Sequence, residues 1–283
     1  MMSNTTRGER CSRLRIVVPS LLLTILPALT LAQTGNLRES PAMTIESSTS
    51  QHNEALDLRQ QAIAPIGALS AAGDMARLGT ALNQGLDAGM TVSDAREILL
   101  QLYAYAGFPR SLNALAELMK VLEARRQRGI QDAPGREPNR SIPMGEELLA
   151  TGTANQTLLS GGLVDGPLFD FAPVANQYLR SHLFGAIFER DNLDWQSREL
   201  ATIGMLSALP GADAQLQAHI RIGMNTGLTE PQLRHLARTL DERADVHFAQ
   251  RVTDAMDRQL ASTNTDMQKK SEQKKSETAT LRW

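Results

Sequence analysis

The chain has one cysteine in 283 residues, Cys11, and it lies ahead of an apolar run close to the N-terminus. If that N-terminal segment is removed, no thiol remains. Disulfides, thiolate catalysis and cysteine-based metal sites are then excluded by arithmetic. Aromatic residues are also scarce, at 4%. Strands recruit aromatic and β-branched side chains, so a sequence rich in Ala, Leu and Met favours helices instead. No surplus of positive charge exists, since 29 Lys and Arg face 31 Asp and Glu. A chain with no basic stripe is a poor partner for nucleic acid. His182, His235 and His247 are scattered, with no His-Glu-x-x-His spacing, so no metal and no other cofactor is expected. No glycine loop of the phosphate-cradling kind occurs either.

The first 32 residues stand apart. Arg7, Arg10, Arg13 and Arg15 precede "IVVPSLLLTILPALTLA". A basic start, an apolar stretch short for a membrane span, and small residues at Thr30 and Ala32 read as a secretory signal cleaved near Ala32. The alternative is a retained anchor, against which Pro19 and Pro27 interrupt the run. The reading implies a periplasmic or secreted protein with no stable membrane anchor after processing. Cleavage removes four arginines and Glu9, leaving 25 basic against 30 acidic residues and a net charge of −5. Residues 33–54 are polar and read as a flexible leader.

From residue 55 the pattern becomes helical. Thr91 opens "TVSDAREILLQLYAYAG", with Asp94 placed as the acidic half of a capping box. Gly107 and Pro109 end that helix, and another is expected over 110–127. "RGIQDAPGREPNRSIPMG", residues 128–145, reads as a linker. A second helical region covers 146–260. The polar, charged residues 261–283 are expected to be disordered.

The chain repeats itself. "IGALSAAG" at 66–73 matches "IGMLSALP" at 203–210, and "LGTALNQGLDAGMT" at 78–91 matches "LQAHIRIGMNTGLT" at 216–229. Gly85 pairs with Gly223, Gly89 with Gly227, and Thr91 with Thr229. The expectation is an all-α protein built from two copies of a helical-hairpin unit, over 55–127 and 146–260.

One acid–imidazole pair follows from this layout. Pro210-Gly211 is the turn between two helices, with Glu199 about 11 residues before it and His219 about 8 after it. Antiparallel packing brings the two within about one turn of the same depth. A carboxylate beside an imidazole holds its tautomer and raises its basicity, which suits a proton donor or shuttle. The same pair could equally be a structural interhelical hydrogen bond. The first copy has Ala62 and Ala81 at the matching positions. In "EILLQLYAYAGFP", Tyr103 and Tyr105 lie about 200° apart on an ideal helix. One is expected in the core and the other, Tyr105, at a cleft, unless both are packing residues. Glu97 and Gln101 lie on successive turns, where they join such a cleft or face solvent. Arg198 and Arg221 flank the pair and either bind an anion or make salt bridges.

The stretches "AREILLQLYAYAGFPRSLNAL" and "FERDNLDWQSRELATIGMLSALPGADAQLQAHIRIGMNTGLTEPQLRHL" resemble the carboxymuconolactone decarboxylase family, which also contains alkylhydroperoxidase D. Order and spacing agree over both repeats and cover most of residues 55–250. The resemblance implies an all-α alkylhydroperoxidase D-like bundle and a ring-like homo-oligomer, a trimer or hexamer. Glu199 and His219 match the family's glutamate and histidine. The family's namesake reaction, on a small anionic lactone, implies an anion binder, a donor to the lactone carbonyl and a proton source. Arg221, Tyr105, and His219 with Glu199 take those roles, with Arg198, Gln101 and Glu97 as further substrate contacts. The peroxidase branch has a Cys-x-x-Cys pair between glutamate and histidine, where this chain reads "ELATIGMLSALPGADAQLQAH". Thiol-dependent peroxide reduction is therefore disfavoured. The remaining alternative is an exported binding protein that kept the fold without the chemistry.

Overall fold

The computed structural model describes residues 55–280, and every regular element in that range is a helix. Residues 1–54, where a signal segment over 1–32 and a leader over 33–54 are expected, lie outside the described residues.

Two helices form the centre. Helix α1 (Leu58–Ala72) is capped by Asp57, which accepts from the Gln60 amide in a reciprocal capping box. It buries every residue from Ala62 to Ala71. Its counterpart is the helix over Trp195–Ser207, capped by Asp194 and buried from Ser197 to Ser207. A helix that is apolar and small on every side belongs in an interior. The two cross through a pair of glycines. A Cβ on Gly67 would come within 2.6 Å of the Ala201 carbonyl oxygen, and one on Gly204 within 2.3 Å of the Ala64 oxygen. Ala64 and Ala201 occupy matching positions in the two copies, as do Gly67 and Gly204. The repeat read from the sequence thus becomes a local two-fold crossing.

The rest of each copy wraps this crossing. In the first, α1 is followed by α2 (Met75–Asp87), α3 (Val92–Gln101) and α4 (Tyr103–Gln127). Thr91 caps α3 by accepting from the Asp94 amide, and Asp94 accepts from the Thr91 amide. Gly107 has φ 81° and ψ 164°, which breaks α4 after one turn. Within the range expected for the second copy, α5 (Gly145–Ser160), the short α6 (Pro167–Phe171) and α7 (Pro173–Tyr178), and a π-helical segment π1 (Leu179–Ile187) come first. The helices that match the first copy follow: α8 (Trp195–Ser207), α9 (Asp213–Asn225), α10 (Glu230–Arg243) and α11 (Val246–Thr280). Thr229 caps α10 with Gln232 as its reciprocal partner, in the same geometry as Thr91. Gly73 and Gly211 turn the two hairpins at φ 80° and 81°.

One expectation fails here. Residues 261–280 continue α11 as helix, although disorder was expected from 261 onward. No glycine or proline interrupts the chain after Val246, and Ala, Gln, Lys and Glu are strong helix formers. Low hydrophobicity was read as disorder, whereas summed helix propensity describes the segment better. Residues 281–283 lie outside the described range.

The interior has two parts. The large core joins both repeats. A smaller cluster brings Leu159 of α5 and Leu183, Phe184 and Ile187 of π1 against Ile222 of α9, with Tyr103 and Tyr105 packed on it.

Candidate active site

The hairpin of α8 and α9 does what its spacing implies. His219 Nδ1 lies 2.8 Å from Glu199 Oε2. Glu199 is fully buried, and the His219 side chain keeps 9% of its surface exposed. The histidine therefore stands between the carboxylate and the outside. Glu199 Oε1, the other carboxylate oxygen, is buried with no hydrogen-bond partner. A buried carboxylate oxygen without a donor is costly to leave unmade, and marks a place where a water or ligand group is needed.

Tyr105 meets this pair from α4. Its ring stands edge-on to the His219 imidazole, with centroids 5.6 Å apart and planes at 79°. Its oxygen lies 3.3 Å from Thr202 Oγ1. Burial, together with the charge of Glu199, pushes the Tyr105 phenol far above its usual value, so it stays protonated. Tyr103 behaves differently from expectation. Its ring stacks on Phe108 at 4.6 Å, and it packs on the same small cluster as Tyr105. The two tyrosines were expected on opposite helix faces. Both nevertheless pack on one cluster.

The remaining predicted contacts form a buried ionic network behind Tyr105. Glu97 and Gln101 are buried, so neither faces solvent. The Glu97 carboxylate accepts from Arg190 Nη2 at 2.6 Å and Nε at 2.8 Å, and from Arg198 Nη2 at 3.1 Å. Burial pushes the Glu97 carboxyl up, but the Arg190 hydrogen bonds and the Arg198 charge outweigh it, and the net direction is down. Arg198 is fully buried. It also donates to Gln101 Oε1 at 3.2 Å and to the Arg190 carbonyl at 2.8 Å. Gln101 Nε2 donates to Thr202 Oγ1 at 2.7 Å and to the Arg198 carbonyl at 3.0 Å. Arg198 is thus committed to the protein. Arg221 is exposed, and two residues along α9 from His219 place it about 200° around the helix. The structure does not bring it to the pair.

Two members of this constellation were missed in the sequence. Thr202 sits one turn after Arg198 on α8, which also carries Gln196, Ser197, Glu199 and Ser207, so nothing local singled it out. Arg190 lies in the connection before α8, and nothing local to it points to Glu97. Among the described residues, no three His, Cys, Asp or Glu side chains gather as a possible metal-ligand group.

A tandem-repeat all-α protein with a buried acid–imidazole pair in its second copy is what the fold and site define. The family model for the carboxymuconolactone decarboxylase family matches residues 43–119 and 173–257, more than half of the chain. The chain belongs to that family. The two matches leave out residues 120–172, the end of α4 and all of α5 and α6. Comparison with individually curated proteins returns no match.

Proposed function

We propose that the protein is a cofactor-free acid–base enzyme acting on a small carboxylated lactone, with loss of carbon dioxide as its reaction. The observation that carries this reading is the 2.8 Å contact between His219 and a fully buried Glu199 whose second oxygen is unpartnered. In the proposed reaction the substrate carboxylate leaves as CO2, and its bonding electrons move into the conjugated lactone. The protonated Tyr105 hydroxyl donates to the carbonyl oxygen as negative charge grows there. His219, held by Glu199, then delivers a proton to carbon. Within one protomer neither arginine is free beside the pair. The first copy has alanines at both positions and serves as scaffold.

A general acid typically contributes about 10²–10⁴-fold in rate. His219→Ala is expected to lose turnover of a carboxylated lactone by that order while keeping its helical circular dichroism. Thiol-blocking reagents should leave the activity unchanged. Full activity in a folded His219→Ala variant would remove this site. The near-complete burial of the pair favours a second reading, an oligomeric binding protein in which the contact is structural. Saturable lactone binding without turnover in the wild-type protein would support it.

The reading includes export and self-association. The basic and apolar N-terminus supports export, and N-terminal sequencing of a periplasmic fraction should start near Gln33; an intact Met1 there would count against it. Phe108, Leu112 and Met119 on the outer face of α4, and Leu168, Phe171 and Val174 on α6 and α7, are exposed apolar side chains. Surface of that kind fits contact with further copies of the chain, as a trimer or hexamer.

A further inference from the structure

The hydrogen bonds behind Tyr105 run in one direction, and that direction decides what the tyrosine can offer a ligand. A guanidinium only donates. Arg198 Nη1 therefore donates to Gln101 Oε1 at 3.2 Å, which fixes the orientation of the Gln101 amide. A flipped amide would set NH₂ against the guanidinium. With Oε1 toward Arg198, Gln101 Nε2 must donate, and it does so to the Arg198 carbonyl and to Thr202 Oγ1. Thr202 has one hydroxyl hydrogen. Its candidate acceptors are the Arg198 carbonyl at 2.9 Å and the Tyr105 oxygen at 3.3 Å. That carbonyl already accepts from Gln101, and within α8 it also takes the backbone amide one turn on, so it is the more crowded acceptor. The less crowded acceptor for the Thr202 hydrogen is Tyr105.

We infer that Gln101 and Thr202 are positioning residues that make Tyr105 accept from the protein and so reserve its hydrogen for the substrate. The order is Arg198 to Gln101 to Thr202 to Tyr105, each donating to the next. Glu97 and Arg190 anchor its start. Its end lies beside His219, which contacts Glu199. The phenol hydrogen is then free for a ligand group that accepts, as a carbonyl oxygen does. This specificity rests on the proposed function in placing the substrate at Tyr105. The hydrogen-bond direction does not rest on it and is measurable without substrate.

The test reads the phenol directly. The chain has three tyrosines, so Tyr103→Phe with Tyr178→Phe leaves Tyr105 alone. The relative intensity of the tyrosine Fermi doublet in the ultraviolet resonance Raman spectrum distinguishes a phenol that accepts from one that donates. The acceptor pattern is expected for this parent protein. Thr202→Val should abolish that pattern. Gln101→Glu should invert it: a carboxylate there only accepts, so Thr202 must donate toward it and Tyr105 must then donate to Thr202. A purely structural role for Gln101 and Thr202 predicts no inversion. A donor pattern in the parent overturns the inference even if both variants fail to fold. So does a Thr202→Val spectrum identical to the parent. An acceptor pattern in a protein with no lactone turnover would sink the proposed reaction and leave the relay standing.

Discussion

Replacing Glu97 by glutamine should cost most of the stability that one buried ion pair can carry. The carboxylate lies between Arg190 and Arg198, with 1% of its side chain exposed, and Arg198 is wholly buried. Glutamine keeps the volume, so no cavity forms and the loss is electrostatic. Arg198 would keep its charge, and water cannot reach it to compensate. Breaking a buried pair on one side costs about 3–5 kcal/mol. The Arg190 contact adds little, because that side chain is about a quarter exposed and surface pairs contribute about 0–1 kcal/mol. A glutamine carbonyl can still accept one guanidinium hydrogen, so a loss near 3 kcal/mol is expected from urea denaturation at pH 7. The folded-state Glu97 carboxyl is held below its unfolded value. Its contribution is then complete above the unfolded value of about 4.3 and is lost as pH falls through the folded one. Wild type and Glu97→Gln should therefore converge in stability on acidification below about pH 4. A difference under about 0.5 kcal/mol at pH 7, the scale of an ordinary surface substitution, would refute the reasoning. So would a difference that persists undiminished in acid.

Gly204→Ala should destabilise by at least about 1–3 kcal/mol, because its Cβ would lie 2.3 Å from a backbone oxygen of α1 that cannot rotate away. Gly89→Ala, where a Cβ meets nothing within 4 Å, should also lose stability, but through its φ of 90°, at about 1–2 kcal/mol. Thermal unfolding of both variants checks this contrast, and a neutral Gly204→Ala would count against the close crossing. For self-association, light scattering at micromolar concentration should give a multiple of the chain mass. Phe108→Glu with Phe171→Glu should lower that mass without loss of helix, and a single-chain mass for the wild type would end the oligomer proposal.

Much of the fold was legible because its signals are local. The capping residue Thr91 and the turn at Gly211 act within a few residues of themselves, and the repeat showed in the pairing of Gly85 with Gly223. The Glu199–His219 contact was legible for a related reason. A tight turn fixes the partner helix, and a constant rise per residue sets the depth of every side chain along it. The tail was misread because its polar composition outweighed its helix propensity. The tyrosines were misplaced because helix rotation separates side chains by angle and does not say how far each reaches, and both pack on one cluster.

The sequence by itself determined the helical class, the two-copy plan and the acid–imidazole pair. These depend on composition, period and neighbours in the chain. Only the tertiary structure decided that Arg198 belongs to Glu97 and not to a substrate, that Arg221 faces solvent, and that Gln101 and Thr202 stand behind Tyr105. Those partners are about a hundred residues apart and meet because α3 and α4 pack against α8. Which of several equivalent polar side chains ends up facing which is set by helix rotation and by the crossing at Gly67 and Gly204. No short-range pattern carries that information, since it arises only when buried donors and acceptors must all find partners at once.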